Sequence, residues 1–158
     1  MNNQSGFTMV ELIMVMVLLG IVSAMAVMKS IAPGQLTMAS QAQKMASDLR
    51  HAQTLAYTRG QRTLVTINAG TNGSYDVTCI TVSTPCSTST DFSGTITGNV
   101  VLAGTNLSFN SLGQPSNALG EPLVSDASFT LCYPSNASCT SRETITTAAL
   151  TGNVTVTP

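Results

Sequence analysis

Charge is scarce in this chain. Asp, Glu, Lys and Arg make up 8% of its 158 residues, against ~25% in an ordinary soluble protein. There is no Trp and one His, and no Lys or Arg occurs between Thr63 and Ser141. Each absence excludes a class of function. A surface without cations has little to neutralise phosphates, so nucleic-acid binding is not expected. With His51 alone, a Ser/His/Asp arrangement would need that one side chain to reach across from the polar face of a helix. No P-loop, Gly-rich dinucleotide turn or pair of metal-binding His residues is present. Asp76, Asp91, Glu121 and Asp126 are scattered among turns and strand ends and form no catalytic pair. The residues point to no enzyme, no cofactor and no metal.

What the chain does have is one long apolar stretch, Gly6 to Met28. Between Glu11 and Lys29 lie 17 uncharged residues. At ~1.5 Å per residue that helix spans roughly 25 Å, the short end of a membrane crossing. Glu11 stands near its start, and a carboxylate at the edge of a membrane helix is a functional candidate by default. Two readings follow from the residues alone. One is a plain membrane anchor. The other is a secretory signal peptide, for which Ala24-Met25-Ala26 supplies a small-x-small cleavage site. Against the second, the segment before the apolar run has no Lys or Arg and ends in a carboxylate.

Four cysteines, Cys79, Cys86, Cys132 and Cys139, behind such an N-terminus read as an oxidised framework. Three pairings are possible. The two equal C-x6-C spacings favour Cys79–Cys86 and Cys132–Cys139, each stabilising by ~2–3 kcal/mol on the chain-entropy estimate. The rival joins Cys79 to Cys132 across neighbouring strands. Zinc is disfavoured, because no C-x2-C spacing occurs.

Further along, Pro33-Gly34 predicts a kink or break, with the helix resuming at once. From Gln35 to Arg59, Met38, Ala42, Met45, Leu49, Ala52 and Ala56 recur at spacings 4, 3, 4, 3, 4. They fall in a stripe about 80° wide, with Lys44, Ser47, His51 and Thr54 opposite. The stripe is a core face, and His51 a solvated helix residue. Gly60 ends the helix. The period then becomes strand-like. Strands are expected at Arg62–Ala69, Ser74–Val82, Val100–Ala103, Leu107–Phe109, Ser128–Tyr133, Glu143–Leu150 and Asn153–Thr157. Turns are expected at Gly70–Gly73 and Ser111–Asn117, and a loop at Ser83–Ser93. The fold class is α+β: a long N-terminal helix, half membrane and half amphipathic, packed on an antiparallel β-sheet head. No second domain or internal repeat is evident.

The residues Gly6-Phe7-Thr8-Met9-Val10-Glu11, followed by the apolar helix, resemble the processing site of type IV pilins. Phe109-Asn110-Ser111-Leu112-Gly113-Gln114-Pro115 is similar to the F-x-x-x-G-x-P turn of the GspH/FimT branch of minor pilins and pseudopilins. Thr147–Val154 resembles that branch's last hairpin, with Asn153 where Arg often follows the Gly. The four-cysteine head is similar to minor pilins of mannose-sensitive haemagglutinin (MSHA) pili. Two departures stand out: the leader has no basic residue, and the helix lacks the usual midpoint Pro.

The resemblance implies a leader at 1–6, a transmembrane and assembly helix at 7–33, and a periplasmic head at 34–158. The head divides into an amphipathic helix, 35–59, and a β portion, 60–158. It further implies prepilin peptidase cleavage between Gly6 and Phe7, N-methylation of Phe7, and an assembly role for Glu11. The partners implied are prepilin peptidase, the inner membrane and other pilin or pseudopilin subunits packed helix to helix. The implied function is a minor subunit of a pilus or a type II secretion pseudopilus. The alternatives are a major pilin and a signal-peptide-cleaved extracellular adhesin that does not assemble.

The cation deficit yields a direct expectation. The head from Gly34 onward should show no measurable DNA binding at physiological salt in fluorescence anisotropy. Micromolar binding that weakens steeply with added salt would overturn it.

Overall fold

The computed structural model describes residues 8–27, 33–80, 93–133 and 139–158, with no side chain described at 22–27 or 33–35. The chain divides into two compact units, Met1–Ala32 and Pro33–Pro158. The first contains the helix α1, Met9–Val27.

The second unit opens with α2, Pro33–Arg59. Pro33 does not interrupt this helix but begins it. The first helical residue needs no N–H partner, and the proline φ is already helical. The expected stripe is buried throughout: Met38, Ala42, Met45, Leu49, Ala52 and Ala56 are at most 2% exposed, and Ala46 joins them. Gly60, at φ +62°, ends the helix, with Gln61 N–H donating to Ala56 O. His51 lies on the exposed side.

One sheet was expected, and two are present, each of five strands. The first runs β4(Ser93–Thr95), β3(Ser74–Ile80), β1(Arg62–Asn68), β6(Leu107–Phe109), β7(Pro115–Ser116). The second runs β10(Val154–Thr157), β9(Ser141–Thr147), β8(Ala127–Tyr133), β5(Val101–Ala103), β2(Gly70–Thr71). α2 packs on β1 and β6 of one and on β8, β9 and β10 of the other. Between them lie Val65, Leu107, Phe109, Phe129, Leu131 and Ile145, all buried. The β1–β3 hairpin forms in the register Asn68↔Ser74. Its expected turn is itself a strand: Gly70 and Thr71 pair with Leu102 and Val101 of the second sheet. Gly73 is needed there, since a Cβ would lie 3.0 Å from the Leu102 Cβ and overlap the Asn68 carbonyl.

The last hairpin also differs. The strand expected through Leu150 stops at Thr147, where Val154 pairs with it. Residues between form the turn, closed by Ala148 N–H to Asn153 O and Gly152 N–H to Ala148 O. Gly152 at φ +69° permits that reversal. The pattern alone did not find this end, because Ala148 to Leu150 are apolar enough to read as strand.

An internal repeat is present, contrary to expectation. Asn110-Ser111-Leu112-Gly113-Gln114-Pro115 and Asn117-Ala118-Leu119-Gly120-Glu121-Pro122 share the pattern N-x-L-G-[QE]-P. They fold alike. Asn110 Oδ1 accepts from Leu112 N and Gln114 N at 3.0 and 2.9 Å. Asn117 Oδ1 accepts from Leu119 N and Glu121 N at 2.9 and 3.0 Å. Gly113 and Gly120 take φ of +75° and +96°. The Asn side chain imitates a backbone turn, and the Gly supplies the left-handed residue. Two turns of six residues fall below the repeat lengths that mark repetitive folds, which is why the pattern escaped the sequence reading.

One polar cluster ties α2 to the first sheet. Tyr75, 2% exposed, donates its hydroxyl to Asp48 Oδ2 at 2.6 Å. Lys44 Nζ bonds the same oxygen at 2.7 Å and stands 5.7 Å from the Tyr75 ring centroid. Burial, and then the hydrogen bond to the Asp48 carboxylate, push the Tyr75 hydroxyl far above its usual range. The folded state therefore favours the protonated phenol. Its contribution is complete below the unfolded value of 10.0 and is lost as pH rises beyond it. The unfolding free energy of the protein, measured by urea titration, should fall above about pH 10 by up to ~1.4 kcal/mol per pH unit for one proton. Tyr75→Phe should be weaker at neutral pH by ~1.5–3 kcal/mol, the worth of a hydrogen bond to a charged group. It should also be flatter above pH 10. An unchanged alkaline profile in Tyr75→Phe would remove Tyr75 as the cause.

Candidate functional site

Gly6 and Phe7, the expected cleavage pair, lie outside the described residues. The first described residue, Thr8, caps α1. Its Oγ1 accepts from Glu11 N at 3.3 Å, and its carbonyl accepts from Glu11 N and Leu12 N at 3.1 and 3.3 Å. Glu11 thus occupies the third helical position, where a carboxylate favours the positive end of the helix by ~0.3–1 kcal/mol. The spacing Thr8-x-x-Glu11 is a capping signature legible in the sequence, and sequence reasoning passed over it in favour of Glu11 alone.

From Met9 to Ile21 the helix is exposed on every side. Met9, Val10, Leu12, Ile13, Met14, Val15, Met16, Val17, Leu18, Leu19 and Ile21 are all about half exposed or more. A helix apolar all round needs cover from lipid or from other helices. Among the described residues no helix is long and apolar enough to cross a membrane. The side chains described on α1 stop at Ile21, whereas its backbone runs on to Val27. All 19 residues of α1 contain one charge, Glu11, and extend roughly 28 Å, close to a ~30 Å hydrocarbon core.

In the head, Cys132 is bonded to Cys139, clipping the loop between β8 and β9. The rival bridge from Cys79 to Cys132 is therefore absent. Cys79 is disulfide-bonded as well, and Cys86, the partner expected for it, lies outside the described residues. Among the described residues, no three His, Cys, Asp or Glu side chains gather as metal ligands.

Sequence reasoning did not single out Gln53. Its Nε2 donates to Gly113 O at 2.9 Å and to Thr151 O at 3.1 Å. One α2 side chain thereby joins the Phe109–Pro115 turn to the last hairpin, the two head segments that carried the resemblance. Gly113 and Gly152 both close on it, and a Cβ on Gly152 would overlap the Gln53 amide. Arg62 plays the same part for the sister turn, donating to Ala118 O and Leu119 O, each at 2.9 Å.

A two-sheet head built on one helix, preceded in the chain by an apolar helix with a single carboxylate near its start, is a pilin-like architecture. Residues 1–27 match the prokaryotic N-terminal methylation motif, and residues 41–152 match the family described as type II transport protein GspH. The chain belongs to the GspH family, and is a minor type IV pilin or pseudopilin. Its methylation motif implies prepilin cleavage and a membrane-anchored protein that passes into a filament. The family and fold are those of structural subunits.

The fold is shared with solved structures. The type IV minor pilin FimU of Pseudomonas aeruginosa superposes with a TM-score of 0.56 at 11% identity, over 77% of this chain and 88% of that one. The minor pseudopilin EpsH of the Vibrio cholerae type 2 secretion system gives 0.56 at 14% identity, over 76% and 94%. The sequence matches no curated protein.

The Gln53 junction is open to test by a double-mutant cycle in urea. Gln53→Ala should destabilise the head by about 1–2 kcal/mol, the worth of two hydrogen bonds. Gly152→Ala should cost at least ~1–2 kcal/mol for its left-handed backbone alone, plus the overlap with Gln53. Together they should cost clearly less than the sum, because Gln53→Ala removes the overlap. Additive costs would show that the two residues do not share a contact.

Proposed function

We propose that this chain is made as a precursor with leader 1–6, is cut by prepilin peptidase between Gly6 and Phe7, and is N-methylated at Phe7. The segment 7–33 then anchors it as a single pass in the bacterial inner membrane, with the head, 34–158, in the periplasm. From there it enters a pilus or pseudopilus beside other subunits, with no catalytic activity of its own. The observation that carries this reading is α1: apolar on every exposed side, with one carboxylate at its third position.

Glu11 is the assembly residue in this proposal. It sits four residues from the amine that cleavage would create at Phe7, and methylation preserves that positive charge. Within one chain, Glu11 already serves its own helix terminus. In a bundle of such helices, the Phe7 amine of the next subunit supplies a full charge in place of a fractional one. An unpaired carboxylate at the centre of a membrane helix costs ~2.5–3.5 kcal/mol, and less near the interface. A partner cancelling even part of that favours one axial register over its neighbours.

Two measurements on membrane-extracted protein test the reading. Its N-terminal residue should be methylated Phe7, by intact mass and N-terminal sequencing; a start at Val27 would instead establish signal-peptide cleavage. Glu11→Val should leave membrane fractionation and trypsin resistance of the head intact but be missing from sheared filaments. Normal incorporation of Glu11→Val would reduce Glu11 to a helix-end charge.

A further inference from the structure

The turn between β1 and β3 holds the chain's single Asn-Gly pair, Asn72-Gly73. Such a pair is chemically labile. The backbone nitrogen that follows an Asn can attack the side-chain amide carbon, and Gly hinders the attack least because it has no Cβ. Asn110-Ser111 and Asn117-Ala118, in the twin turns, place a side chain beside the same nitrogen.

The fold holds every group this reaction would use. Asn72 is exposed, so water reaches its side chain, whereas Gly73 is buried. Asn72 takes φ +53°, a left-handed conformation that Asn tolerates. Gly73 N–H donates to Gly70 O at 3.1 Å, and Asn72 Oδ1 accepts from Asn99 N at 3.3 Å. On either side, Asn72 N–H donates to Val100 O at 2.9 Å and Gly73 O accepts from Ile96 N at 2.7 Å. Gly70 and Thr71, just before the pair, are the strand β2 that joins this turn to β5. The attacking nitrogen and the amide under attack are each bound elsewhere, so attack requires the turn to open.

We propose that Asn72 is a modification site, guarded by the fold, and that its conversion to isoaspartate unpairs β2 from β5. Gly73 N gives its proton to water or hydroxide and bonds to Asn72 Cγ. The Cγ–Nδ2 bond breaks, and the side-chain nitrogen leaves as ammonia. Water then opens the resulting succinimide. Breaking the bond from Gly73 N to Cγ gives Asp. Breaking the bond from Gly73 N to the Asn72 carbonyl carbon gives isoaspartate, whose main chain runs through Cβ and Cγ and is one atom longer. The turn has little slack for that atom, because Asn68 O and the Leu102 Cβ close on Gly73. Before the head folds nothing holds the pair, so conversion belongs to the unfolded chain and marks slow folding.

The test holds the full chain, disulfides intact, in detergent and mildly alkaline buffer, with and without urea. Conversion is followed by peptide mass spectrometry, with fragmentation that separates isoaspartate from Asp. In urea, Asn72 should convert before any other Asn. Without urea its rate should be lower by about tenfold or more, the effect of a required opening step. Returned from urea, the isoaspartate form should lose hydrogen-exchange protection at Gly70–Gly73 or fail to refold. Asn72→Asp should refold and keep that protection, because its carboxylate still accepts from Asn99 N and its main chain is not lengthened. Equal rates with and without urea, another Asn converting first in urea, or an isoaspartate form as protected as Asn72→Asp would each overturn the proposal. Loss of protection in Asn72→Asp as well would assign the effect to charge and overturn it too.

Discussion

The head depends on one packed face. The α2 stripe is the wall that two sheets share, and without it neither would have a second layer. Its composition explains how one helix serves both. Ala42, Ala46, Ala52 and Ala56 are buried among Met38, Met45 and Leu49, so backbone and sheet approach closely at the small residues while the large ones fill the spaces between. Small side chains at a helix face cost little entropy on burial. The methionines adapt to the uneven gap between two sheet surfaces. The large strand residues, Phe109 from the first sheet and Phe129 from the second, occupy the interior that this wall closes.

A head with so few charges must hold its loops by other means. It uses side-chain amides and one guanidinium aimed mostly at backbone carbonyls and amides. Asn110 and Asn117 organise the twin turns, Gln53 and Arg62 hold them to α2 and β1, and Gln41 binds the backbone and hydroxyl of Thr97. Such bonds are short-range and insensitive to salt, unlike surface ion pairs. The described ion pair, Lys44–Asp48, is joined to the buried Tyr75 hydroxyl and so is part of the packing rather than an isolated surface pair. A head of this construction changes little in stability with ionic strength.

α1 has the opposite character. It is capped and helical, but among the described residues nothing in its own unit covers Met9 to Ile21. Its exposed apolar sides belong to a state that includes lipid or other helices. The head completes itself within one chain. The N-terminal helix is completed by its surroundings, and the GspH-family assignment and the methylation motif give that difference its meaning.

Periodicity alone determined the helical half of this protein. The α2 stripe, its Gly60 end and the apolar α1 are local facts, since a helix repeats every 3.6 residues and its pattern needs no partner to be read. The Gly6–Glu11 motif was legible for the same reason, being contiguous. The division into two sheets was not. Strand alternation says which residues face inward, but not which sheet they face inward from. Only the pairing of Gly70–Thr71 with β5 shows that a hairpin turn crosses to the other sheet. Gln53 was likewise invisible, because its partners lie 60 and 98 residues away and their carbonyls leave no mark on the sequence. Three-dimensional packing decided what contact order hides: which distant turns meet on the helix, and which apolar tips are left facing out.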